Sequence, residues 1–158
     1  MATFSRYRTV PGAATLVALI LVLAFGSPAY VRWVQSNTDE NSAGGWFMRL
    51  LAWPAWRFDD DESVQNLIAD DIKAILVVAF TFLMMQVAAT GTVGGRLLAG
   101  WAAYIFAAAL AGLLAAFVQI GPTLLTAFQN AGGGAIYGLF VGWIVGAAAL
   151  GGYRGTPP

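Results

Sequence analysis

The side chains able to do chemistry are few in type. The chain carries eight Asp/Glu and eight Lys/Arg, with no His and no Cys. Without thiols or imidazoles there is no disulfide, thiol nucleophile, Cys/His zinc site, His-ligated haem or histidine acid–base pair to build. The remaining ionisable groups are carboxylates, arginines and a single lysine, Lys73. All eight acids fall between Asp39 and Asp71, and the densest run is Asp59-Asp60-Asp61-Glu62. Hard cations take carboxylate oxygens, but this run lacks the alternation and the turn glycine of a calcium loop. Acids also suit the first turn of a helix, whose N-terminus is partly positive. The expectation is a solvated helix start able to dock a basic partner by charge, with no metal and no cofactor. Asp70 and Lys73 are spaced to pair at i, i+3. A lipid-surface enzyme would have to rest on Asp59 to Glu62 and Asp70-Asp71, which offer no base–nucleophile pair, so no enzymatic activity is expected.

A second pattern carries packing rather than chemistry. Gly134, Gly138, Gly142 and Gly146 recur at i, i+4 and strip one helix face of side chains. Small residues at this spacing let two helix backbones approach closely. Ala99, Ala103, Ala107, Ala111 and Ala115 offer a small-residue run of the same period. The two runs are expected to face each other, or the glycine stripe to face another chain.

The elements that position these residues follow from hydropathy. The chain has 158 residues, 59% of them hydrophobic, and only 10% charged, against about 25% charged in an average soluble domain. Mean hydropathy is +0.71. A membrane-spanning helix needs about 20 mostly apolar residues. Four stretches qualify, at about 11–34, 74–90, 97–118 and 131–150. Arg6 and Arg8 before an apolar run could instead mark a signal peptide cut near Ala24-Phe25-Gly26. Pro28 is unfavourable so close after such a cut, so this stretch is read as a retained span. Gly26-Ser27-Pro28 should kink or end its helix. The last three spans hold no charged residue. Gln86, Thr81 and Tyr104 are their most polar members, and Gln86 is expected to hydrogen-bond between helices, because polar groups in lipid need partners. One long helix should run from about Asp61 to Thr90.

The outer polar segment, residues 35–73, contains Trp46, Trp53 and Trp56. Tryptophan prefers the headgroup level, so a short interfacial segment is expected there. Packing of the same rings on the helix tops is the other reading. Positive charge near helix ends sets orientation. With the N-terminus inside, Arg6, Arg8, Arg96 and Arg154 are cytoplasmic, while Arg32, Arg49, Arg57 and Lys73 lie outside. The count is tied, and the more basic flank of the first span favours both termini in the cytoplasm. Four spans with a Trp-rich first outer loop resemble the claudin-like tetraspan plan. That family's paired cysteines are absent, so no residue role is carried over.

The sequence therefore reads as one all-α membrane domain over residues 1–158, a four-helix bundle with an interfacial segment in its first outer loop. Zero net charge argues against nucleic acid as a partner. A single Lys with abundant Ala and Gly suggests a GC-rich bacterial genome, hence the bacterial inner membrane. Two functions fit. The first is an accessory or assembly subunit that packs against other integral membrane subunits and the lipid bilayer. The second is a small homo-oligomeric channel or transporter, with the glycine stripe between subunits or along a narrow path. The absence of intramembrane charge in the last three spans favours the first.

Overall fold

The computed structural model describes residues 10–57, 63–88, 93–119 and 121–152. Its regular elements there are six helices, with no strand. The break at Gly26-Ser27-Pro28 separates α1 (Val10–Phe25) from α2 (Pro28–Asn37), whose axes differ by 53°. Ser27 caps α2, its Oγ accepting the Tyr30 N–H at 3.3 Å, and Pro28 takes a first-turn position where a missing N–H costs nothing. Gly26 is required at the bend, because a Cβ there would run into the Pro54 and Val22 carbonyl oxygens.

Ser42 likewise caps α3 (Ala43–Leu51), accepting the Gly45 N–H at 3.0 Å. Thr123 caps α6 (Leu124–Gly151), accepting the Thr126 N–H at 3.0 Å. That cap explains why α6 starts at Leu124 rather than near Ala131. Asn130 lies inside the helix, with its amide donating to the Thr126 carbonyl. The turn from α5 (Val93–Ala116) into α6 passes through Gly121 at φ 65°, a left-handed conformation open to glycine. Arg96, expected in a connection, sits in the first turn of α5. The long helix expected from about Asp61 to Thr90 is present as α4 (Val64–Ala88), which starts later than expected because Ser63 stands before its first turn, its carbonyl accepting the Leu67 N–H at 3.1 Å; that first turn holds no acid. Residues 61–62 and 89–90 lie outside the described residues.

The four longer helices form a ring in which α1 packs on α4, α4 on α5, α5 on α6, and α6 back on α1. Their shared core holds Ala14, Ala18, Val77, Met85, Tyr104, Ala108, Tyr137, Val141 and Val145. Thr81, the buried polar residue among them, turns its hydroxyl onto the Val77 carbonyl at 2.6 Å. Gln86 is a correction. Ala74, Val77, Thr81 and Met85 take the inward face of α4 at helical spacing, so Gln86 falls about 100° away and is exposed on the outside.

Two helices, Gly94–Ala116 and Leu124–Gly151, are long and apolar enough to cross a membrane, and a third if α1 and α2 form one bent span. The expected fourth is short for a physical reason. Asp70, Asp71 and Lys73 occupy the first part of α4, and the uncharged remainder, Ala74 to Ala88, is about 22 Å long at 1.5 Å per residue. The hydrocarbon core is about 30 Å thick.

Candidate functional site

The glycine face of α6 lies against α5. A Cβ on Gly138 would sit 2.6 Å from the Ile105 Cα, and one on Gly146 would sit 2.6 Å from the Leu97 carbonyl oxygen. On Gly134 it would meet the Ala108 carbonyl, and on Gly142 the Trp101 Cδ1 at 2.9 Å. Side chains are thus excluded by backbone at three of the four positions. From α5 the contact is completed by Gly100, whose Cβ would lie 3.0 Å from the Gly146 Cα. The surface opposite the glycines is the row Leu97, Trp101, Tyr104-Ile105 and Ala108, not the alanine run. Ala103, Ala107 and Ala111 are buried on the adjoining face of α5. One residue along a helix is a 100° step, and that step moves the alanines off the glycine seam into the bundle interior.

Two side-chain hydrogen bonds pin the same seam. The Trp101 indole N–H donates to the Leu139 carbonyl at 2.9 Å. Tyr104 and Tyr137, both without solvent exposure, bring their hydroxyls within 3.1 Å. Trp53 stacks on Tyr137 at 5.2 Å between ring centroids. It fits there because Gly112, Gly133 and Gly134 leave its ring room. Lys73 Nζ lies 5.4 Å from the Trp53 ring while pairing with Asp70 at 2.7 Å.

The other tryptophans of residues 35–57 also reach the bundle. Trp56 ties back to the end of α1, its backbone N–H donating to the Gly26 carbonyl at 3.0 Å and its indole N–H to the Val22 carbonyl at 3.3 Å. The Val22 carbonyl also accepts the Gly26 N–H at 2.9 Å, so the indole adds a second donor to it, while the Gly26 carbonyl lies at the bend just past the end of α1. Trp46 is more exposed and meets Phe140 edge-on at 5.5 Å. Arg49 braces α3 against the preceding turn, donating to the Thr38 carbonyl at 3.1 Å and lying 3.6 Å from Glu40.

The acidic run Asp59, Asp60, Asp61 and Glu62 lies outside the described residues, as do Arg6, Arg8 and Arg154. Among the described residues no group of three or more His, Asp or Glu is placed to hold a metal ion. Asp71 accepts the Arg57 backbone N–H at 3.2 Å. It stands at the end of a lateral groove between α1 and α4.

Sequence reasoning located the glycine seam but missed the Tyr104–Tyr137–Trp53 stack. Tyr137 follows Ile136 in an apolar stretch and gives no sign that it pairs across helices. A tyrosine in the middle of a span was the available signal, since its hydroxyl needs a partner when buried. The groove had no signal at all, because it arises from the space between two helices. No known family, curated protein or solved structure matches the chain, so its residues alone carry the functional reading.

Proposed function

We propose that this chain is a non-enzymatic accessory or assembly subunit of a larger bacterial membrane complex. It crosses the inner membrane four times, with both termini in the cytoplasm. The observation that carries this reading is the filled axis of the helix ring. Val77, Thr81, Tyr104, Tyr137, Val141 and Val145 occupy it with essentially no exposed surface, which among the described residues leaves no polar path along a single chain. The glycine seam is used inside the chain, which removes the main support for a homo-oligomeric channel built on it. What remains available to partners is the outside, including Phe106, Phe128 and Trp143. The exposed amide of Gln86 on this surface also calls for a partner, because polar groups facing hydrocarbon must be satisfied.

In this reading α1 with α2 forms a bent first span. α4 forms the second by keeping Asp70, Asp71 and Lys73 at the outer headgroup level, where a long Lys side chain can snorkel. The run from Asp59 to Glu62 is then outside, placed to dock a basic partner. Purification in mild detergent followed by native mass spectrometry tests the proposal. A stoichiometric set of larger membrane partners supports it, and a pure homo-oligomer overturns it. Cysteines placed at Ser42 and Thr156 test the topology. An impermeant reagent on intact cells should label the first and leave the second untouched.

A further inference from the structure

The seam between α1 and α4 is open to the side. Leu19 and Leu23 from α1 with Ile75 and Val78 from α4 line a groove of about 540 Å³, within the size range of small-molecule sites. Leu23 and Ile75 are 53% and 66% exposed along its lip. One end is polar. Trp56 and Asp71 close it there, while Ala79 lies two turns further along α4, about 12 Å away. The Asp71 carboxylate accepts one hydrogen bond, from the Arg57 backbone. Among the described residues no Lys or Arg side-chain nitrogen forms an ion pair with it, and Lys73 pairs with Asp70 instead.

We propose that this groove holds an acyl chain of a phospholipid whose headgroup carries a primary ammonium, with the ammonium resting on Asp71. The proposal rests on the reading of α1 and α4 as spans. A groove facing hydrocarbon gains little from hydrophobicity alone, because lipid tails are as apolar as leucine. Selection must come from the polar end. There a carboxylate repels an anionic headgroup, and a quaternary ammonium has no N–H to donate to it. A primary ammonium supplies both charge and donors, and charge-assisted hydrogen bonds are the strong ones. Trp56 at the same end suits the headgroup level.

Native mass spectrometry from mild detergent, with matched phosphatidylethanolamine and phosphatidylglycerol in equal amounts, tests this. The wild-type chain should retain the ethanolamine lipid about tenfold over the glycerol lipid, the order of one charge-assisted contact. Asp71→Asn should abolish the preference without unfolding the chain, because its amide oxygen still accepts the Arg57 N–H. Ala79→Phe, which fills the groove from an exposed position, should lower retention of both lipids at an unchanged melting temperature. Equal retention by the wild type, or a preference that survives Asp71→Asn, overturns the site. Alkaline carbonate extraction separates the two levels of failure. A chain released from membranes overturns the spanning reading and this site together, whereas a chain that stays and shows no preference overturns the site alone.

Discussion

The α5–α6 seam and the α1–α4 seam are both lined largely by apolar residues and behave differently. Along α5–α6, glycine replaces side chains at every turn and the two backbones touch. Along α1–α4, Leu19, Val22, Leu23, Ile75 and Val78 stand between the helices and leave a groove. The difference is one of side-chain size in register. In lipid no hydrophobic force draws helices together, so close packing and interhelical hydrogen bonds decide how tightly they associate. Dispersion falls off over a fraction of an ångström. A seam of backbone on backbone therefore becomes rigid, and a seam of branched side chains retains space.

The comparison breaks most directly at Gly138. An isoleucine there must push its Cβ into the Ile105 backbone, which cannot rotate away as a side chain can. Gly138→Ile should cost about 3 kcal/mol, at the severe end of overpacking. The loss should show as a collapsed thermal melt in detergent and loss of the monodisperse monomer. Wild-type melting in this variant would mean the two helices are not in close contact.

Next is Trp53→Ala. Trp53 is half-buried against Tyr137 and fills space left by three glycines, so its removal should cost about 2 kcal/mol, below the 3–5 typical of a fully buried aromatic. Limited proteolysis should then cut residues 43–57 faster while the α5–α6 pair stays resistant. If α5 and α6 are destabilised equally, residues 43–57 are part of the seam and not a cap on it.

A smaller effect is expected for Tyr137→Phe, which deletes one hydroxyl from the Tyr104 pair. Interhelical hydrogen bonds in membranes average about 0.6 kcal/mol, so the melting temperature should fall only slightly. A double-mutant cycle with Tyr104→Phe should recover the coupling. The smallest change is expected from Leu139→Ile. Leu139 lies between two seam glycines in sequence yet is 48% exposed, and the exchange should stay within about 0.5 kcal/mol. A large effect there would place a partner on the outer face of α6 and sharpen the accessory-subunit reading.

The sequence was most legible where a pattern is local and repeats along one helix. Hydropathy alone marks the long helices, because burying backbone in an apolar setting demands helical hydrogen bonding. The bend after Phe25 is written in Gly26-Ser27-Pro28, since a capping serine and a proline leave few other conformations. The close approach at Gly134, Gly138, Gly142 and Gly146 is also legible, because only absent side chains permit it. Tertiary structure decided everything that depends on the phase of one helix against another. It set Leu97, Trp101, Ile105 and Ala108 opposite the glycines and turned Ala103, Ala107 and Ala111 inward. It also moved Gln86 to the outside, folded Trp53 onto Tyr137 and left the groove beside Asp71. A helix's own sequence specifies its stripes, but which stripe meets which neighbour is set by the joint packing of four helices, where a rotation of 100° changes every contact while leaving each local pattern intact.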